Sequence, residues 1–349
     1  MADIDIRIKG CAGRITLNRP EALNALSYDM CLAIEAALER WRNDDTVALV
    51  VIDAAGDRAF CAGGDIQDMY AAGMAGDYGY GRRFWADEYR LNAKIAEYPK
   101  PYVALMQGFT MGGGVGISCH GSHRIVGDSS RIAMPECGIG LVPDVGGSLL
   151  LARAPGHLGE FLGLTADRMG PGDAIHAGFA DHYLPEADWP SLIARLQQTG
   201  DVGLVAAAVR SAPDSPLAAQ QAAIDTLFAA DTLRDIWRGL PGDAGALGGS
   251  ARKAIARNAP LSMAVTVQML HNLRAGRRNV RAALAQEYRF TARSMELGDF
   301  IEGIRASIID KDRSPRWRHG SPDAVPDADV EAMLAPLGED ELKLEGEQP

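Results

Sequence analysis

Glu136 and Asp144 stand eight residues apart in Met134-Pro135-Glu136-Cys137-Gly138-Ile139-Gly140-Leu141-Val142-Pro143-Asp144. Apart from these two carboxylates the run is apolar and punctuated by glycine and proline. A carboxylate among apolar groups costs free energy unless it is paired or put to use. Such places are also where acid pKa values climb into a range useful for chemistry. The chemistry open to the pair is proton transfer or nucleophilic attack. The plain alternative is that both carboxylates cap helices or turns, as Asp and Glu readily do.

Two glycine runs lie upstream, Cys61-Ala62-Gly63-Gly64-Asp65 and Met111-Gly112-Gly113-Gly114-Val115-Gly116. Glycine permits positive φ and lets a ligand approach the backbone closely. Each run follows an apolar strand, and ligands of α/β folds bind beyond the carboxyl ends of strands. Two such turns can aim two backbone N–H groups at one point, an oxyanion hole for charge developing on a carbonyl oxygen. Phosphate cradling and simple tight turns are the alternatives. Neither run fits the dinucleotide or P-loop spacing, and no Gly-x-Ser-x-Gly elbow supplies a serine nucleophile.

The elements that must hold these groups alternate. Ile4, Ile6 and Ile8 alternate with polar residues, which predicts a half-buried strand, and Ile15-Thr16-Leu17 its return. Ser27 caps a helix with Met30, Ile34, Ala37, Leu38 and Trp41 on one face. Residues 47–52 and 102–106 are short apolar strands covered on both faces, and His123-Arg124-Ile125-Val126 is another strand. Between them a helix is expected from about Arg82 to Glu97, stopped by Pro99 and Pro101. Strand, crossover and strand recur through residue 130, which implies α/β layering. From about Gly156 the chain reads as mainly helical, with Leu261, Val265, Met269 and Leu273 along one face. Residues 188–250 read as Ala-rich helices with loops, and the acidic end from Gly338 is expected to fray.

The chain has 349 residues, 47% of them hydrophobic, enough for a sizeable core. A net charge of −11 argues against nucleic acid as a partner. No apolar run is long enough to span a bilayer, and the N-terminus resembles neither a signal nor a transit peptide, so a cytoplasmic enzyme is expected. The cysteines at 11, 31, 61, 119 and 137 show no paired spacing and read as reduced thiols. Cys119, His120 and His123 lack a second ligand pair, so no metal is expected.

Taken in order, Asn18-Arg19-Pro20-Glu21-Ala22-Leu23-Asn24, Ala59-Phe60-Cys61-Ala62-Gly63-Gly64-Asp65-Ile66, Gly108 to Gly114 and Met134-Pro135-Glu136 closely resemble the crotonase (enoyl-CoA hydratase/isomerase) superfamily. The resemblance implies an α/β fold with a ββα spiral core over residues 1–185, a mainly helical region over 186–320 and an acidic tail over 321–349. It implies an acyl-CoA substrate, oxyanion donors at Gly64 and Gly113, and CoA contacts at Ala22, Leu23, Ala62, Asp65 and Ile66. It implies no separate cofactor, since CoA is part of the substrate, and a homo-oligomer, trimer or hexamer. A typical hydratase of the family carries a second glutamate three residues after the oxyanion glycine, and here that position is Gly116. Asp144 offers the second carboxylate from elsewhere. That pattern is similar to the 3-hydroxyisobutyryl-CoA hydrolase branch of the superfamily, which acts in valine catabolism. So are Ala86 to Asn92, Glu287-Tyr288-Arg289, Asp299 to Ala306 and Asp310 to Trp317.

The branch implies a thioesterase in which Glu136 attacks the carbonyl or activates water, Asp144 binds the substrate's β-hydroxyl, and Glu88 contacts substrate. A hydratase or isomerase on the same scaffold is the alternative. A non-catalytic CoA-binding protein is a third reading, against which the intact Glu136, Asp144 and glycine runs argue. Lys311 and Arg313 have the charges to meet CoA phosphates, but such residues are more often solvated, and Trp317 is expected to pack.

Overall fold

In the computed structural model, which describes residues 2–240 and 246–344, the chain groups into two compact units. Each is assembled from separated stretches of sequence. The first takes Met1–Asp65, Leu91–Ala133 and Arg168–Ala218, and the second Ile66–Arg90, Met134–Asp167 and Ala219–Pro349. The last five residues of the acidic end, and residues 241–245 of the Ala-rich stretch, lie outside the described residues.

The first unit holds every named strand. These are β1 (Ile4–Lys9), β2 (Ala12–Leu17), β3 (Leu49–Ala54), β4 (Ala59–Cys61), β5 (Tyr102–Met106), β6 (Phe109–Met111), β7 (His123–Val126), β8 (Arg131–Ala133) and β9 (His182–Tyr183). The six-stranded sheet runs β1-β2-β3-β5-β7-β9 and the three-stranded sheet β4-β6-β8. Among the described strand pairs only β1–β2 is antiparallel, with Ile4 opposite Leu17 and Ile6 opposite Ile15. Odd strands β3, β5 and β7 step along the large sheet while even strands β4, β6 and β8 step along the small one. This advance, two strands per turn of chain, is the spiral that the resemblance implies.

β5 is buried throughout, as are Leu49 to Ile52 of β3, because both faces of the large sheet are covered. Helices Trp189–Thr199 and Gly203–Ala208 cover it with Trp189, Leu192, Leu196 and Val205, packed on Leu49, Val51, Val103, Leu105 and Ile125. Each such Val or Leu contributes about 1.5–3 kcal/mol by leaving water. The helix predicted after Ser27 spans Tyr28–Arg42, and the Ser27 side chain accepts from the Met30 N–H as a cap should.

In the second unit no strand occurs among the described residues. Its long helices are Pro260–Ala275 and Val280–Leu297, with the shorter Gly147–Arg153 and Leu158–Thr165 among those beside them. Leu261, Val265, Met269 and Leu273 are all buried, as their spacing predicts. The acidic end does not fray as far as it is described. Leu342 and Leu344 are buried, and Glu341 pairs with Arg289 at 2.8 Å, so apolar anchors hold a charged segment down. Trp317 packs half-buried and donates to the Arg257 carbonyl at 3.0 Å.

Candidate active site

In the first unit the loop after β2 is stitched to the end of β4. The Asn24 carboxamide donates to the carbonyls of Ala55 and Ala59 and accepts from the Arg19 N–H. Ala62 N–H then donates to Leu23, Leu26 N–H to Gly63, and Asp65 N–H to Leu26. Leu23 and Asn24 both take left-handed backbone angles, which Asn accepts and Leu resists. Ala22, Leu23, Ala62 and Asp65, four of the expected CoA contacts, are therefore brought together, while Ile66 opens the second unit. Asp65 is partly occupied by Arg19, 3.1 Å away.

The two glycine runs also meet within this unit. A Cβ on Gly114 would overlap the Cys61 carbonyl oxygen, so only glycine permits the helix Gly113–Ser118 to start so close to β4. The parallel bridge between Leu26 and Gly64 spends the neighbouring amides and leaves the Gly64 N–H over. Among the described residues neither Gly64 N–H nor Gly113 N–H donates to a backbone carbonyl. Two unspent amides on adjacent tight turns are what an oxyanion hole requires. Gly116 is buried inside the same short helix.

The carboxylates gather in the second unit. Glu136 opens a 3-10 turn, Glu136–Ile139, and Asp144 lies just before the helix Gly147–Arg153. Glu88 comes from the helix Tyr78–Ala96, and all three side chains are buried. Glu136 Oε2 and Glu88 Oε1 have no hydrogen-bond partner among the described residues. Asp144 Oδ2 accepts from the buried Tyr89 phenol at 2.7 Å, and that phenol lies 3.4 Å from Thr291 Oγ1.

Burial first, then the charge of Asp144, drives Glu136 and Glu88 well above the usual carboxylate range. Burial lifts Asp144 to about 7, and the Tyr89 hydrogen bond holds it from going higher. The charges acting on Glu136 and Glu88 are other carboxylates, not cations. Such a cluster binds protons readily, and any member that stays ionised is a strong base.

Tyr89, Ser148, Glu287 and Thr291 belong to this cluster; Tyr89 and Glu287 entered the sequence reading only as members of matching stretches with no role given, and Ser148 and Thr291 not at all. Glu287 accepts from Gly146 N–H at 2.8 Å, Ser148 N–H at 3.1 Å and the Ser148 hydroxyl. A further local signal is that Glu287 and Thr291 share one helix face at i, i+4. Lys311 and Arg313 are exposed, as expected. Cys119 is buried, which pushes its thiol up to about 11, and the His123 ring lies 6.4 Å from that of His182, tilted by 35°.

Residues 12–334 match the family model described as enoyl-CoA hydratase/isomerase, and the chain belongs to that family. It is 39% identical to the mitochondrial 3-hydroxyisobutyryl-CoA hydrolase of Danio rerio, over 96% of this chain and 90% of that protein. It is 36% identical to the corresponding protein of Gallus gallus, over 98% and 91%. Among solved structures, an enoyl-CoA hydratase from Rhodobacter sphaeroides 2.4.1 superposes with a TM-score of 0.95 at 56% identity, covering 98% of this chain and 100% of that one. A carnitinyl-CoA dehydratase from Mycobacterium thermoresistibile gives 0.93 at 41%, covering 99% and 100%.

Proposed function

We propose that the chain hydrolyses 3-hydroxyisobutyryl-CoA to 3-hydroxyisobutyrate and CoA. The observation that carries this reading is the buried pair Glu136 and Asp144 combined with a glycine at 116. One carboxylate keeps an oxygen without a hydrogen-bond partner among the described residues, the second is held by a phenol, and the second glutamate of a hydratase is missing. The relatives named as hydrolases over nearly their whole length support it.

The reaction adds the oxygen of water to the thioester carbon and breaks the carbon–sulfur bond. Ionised Glu136 either attacks the carbonyl, giving an anhydride that water opens, or takes a proton from the attacking water. The proton that water gives up ends on the departing thiolate. Gly64 and Gly113 N–H groups stabilise the carbonyl oxygen as it gains charge, each worth about 2.7–4 kcal/mol. Asp144 accepts from the 3-hydroxyl, and Glu88 contacts the acyl group. Backbone at Ala22, Leu23, Ala62, Asp65 and Ile66 holds CoA. Valine catabolism and a cytoplasmic location belong to the same proposal.

The highly similar structure described as an enoyl-CoA hydratase favours hydration as a second reading. Thiol release from 3-hydroxyisobutyryl-CoA, followed with a thiol reagent, separates the two. Hydration of crotonyl-CoA with no thiol appearing would overturn the hydrolase reading.

A further inference from the structure

Glu287 is fully buried, and no step of the hydrolysis uses it. It sits on the helix Val280–Leu297, 141 positions along the chain from Gly146, yet its carboxylate closes on the turn that follows Asp144. Oε2 takes the Gly146 N–H, while Oε1 takes the Ser148 N–H and hydroxyl. Those bonds fix a strained stretch of backbone. Val145 adopts φ 53° and Gly146 φ 78°. A β-branched residue at positive φ is an outlier that survives only where its surroundings hold it. The Asp144 carbonyl accepts from Gly147 N–H at 2.6 Å, so the turn and the Asp144 backbone move together.

The same helix face reaches the other end of Asp144. Thr291, one turn on, lies 3.4 Å from the Tyr89 phenol that donates to Asp144 Oδ2, and Tyr288 meets the Tyr89 ring edge-on at 6.3 Å. Placing a further carboxyl near Asp144 adds like-charge repulsion, which the three donors on Glu287 offset. A glutamine would avoid the charge, but its amide has one acceptor and its NH2 would face a backbone N–H.

We propose that Glu287 is a positioning residue for Asp144: by clamping the Val145–Ser148 turn it fixes the direction in which the hydroxyl-reading carboxylate points. This rests on the reading that Asp144 accepts from the substrate's 3-hydroxyl. With the Asp144 backbone set by Glu287 through the turn and its Oδ2 held by Tyr89, the carboxylate keeps one direction, and the enzyme separates hydroxylated from plain acyl chains.

The test compares kcat/KM for 3-hydroxyisobutyryl-CoA and for isobutyryl-CoA, which lacks the hydroxyl, in the full-length chain. Glu287→Gln should lower the preference for the hydroxylated thioester by roughly ten- to a hundredfold, the scale of a misplaced contact. In an Asp144→Asn background the same substitution should reduce the preference no further. A merely structural role would depress both substrates in parallel, and a folded variant with unchanged preference overturns the proposal. Should Glu287→Gln not fold, Ser148→Ala, which removes only the hydroxyl donor, must show a smaller loss of preference, and no loss counts against it. If the unsubstituted chain itself shows no preference, the reading of Asp144 fails instead.

Discussion

Glu160 and Glu136 are both buried carboxylates of the second unit, yet their surroundings drive them in opposite directions. Burial acts to raise Glu160, but hydrogen bonds from His271 and Arg274 and the Arg274 charge outweigh it and hold the group at about 2. Its carboxylate meets the Arg274 guanidinium, with 2.9 Å for one of the contacts, and His157 and His271 stand 3.7 and 3.6 Å away. Among the described residues Glu136 has no such cation, and its neighbours Asp144, Glu287 and Glu88 add to the burial that raises it. A buried acid given a cation is spent on holding helices together. A buried acid given other acids is left reactive, at a cost in stability. Burial alone does not distinguish them.

The largest effect that would break this contrast is on turnover. Glu136→Gln should slow CoA release by about a hundred- to ten-thousandfold, the range for a lost acid–base group, and by more if Glu136 is the nucleophile. Next comes the staple. Arg274→Met strands Glu160 in a buried site and should lower the unfolding free energy in urea by about 3 kcal/mol, the low end for a broken buried pair because Arg274 is 20% exposed. Turnover per folded molecule should not change. The two sites also answer pH with opposite signs. Glu160, held below its unfolded value, stabilises above pH 4.5 and loses that contribution as pH falls through about 2. Asp144, raised from 3.8 to about 7, favours the fold below pH 3.8 and loses that contribution as pH rises through about 7.

Asp144→Asn should therefore raise the melting temperature at pH 8 while cutting the preference for a hydroxylated substrate by roughly tenfold or more, the worth of a hydrogen bond to a charged group. The smallest expected effect belongs to Tyr89→Phe. Loss of the phenol removes the bond that holds Asp144 down, so the acid limb of the kcat/KM profile should move to higher pH by about one unit or less. A shift to lower pH would break the assignment.

Much of this was legible in the chain, and for identifiable reasons. Ile4, Ile6 and Ile8 announced a strand by alternation, and Ser27 announced a helix by its cap, because both signals are local. Glu136 and Asp144 stood out as charges in an apolar run. The helix expected from Arg82 starts earlier, at Tyr78. Gly79 and Gly81 lie in that extra first turn, and Gly81 is where Met295 packs, since a Cβ there would overlap its sulfur. Glu160–Arg274 and Glu287–Ser148 join residues more than a hundred positions apart, and helical spacing gives a face without naming its partner. The interleaving of the two units was hidden for the same reason, since contacts between distant segments leave no local periodicity.

The most direct test sets Glu136→Gln beside the unsubstituted chain at pH 8, with thiol release from 3-hydroxyisobutyryl-CoA and urea unfolding measured on the same preparations. An unpaired, reactive carboxylate predicts that turnover falls by the orders of magnitude given above while stability holds or rises, because an amide removes a charge that burial disfavours. Undiminished turnover, or a loss of stability like that expected of Arg274→Met, would contradict it.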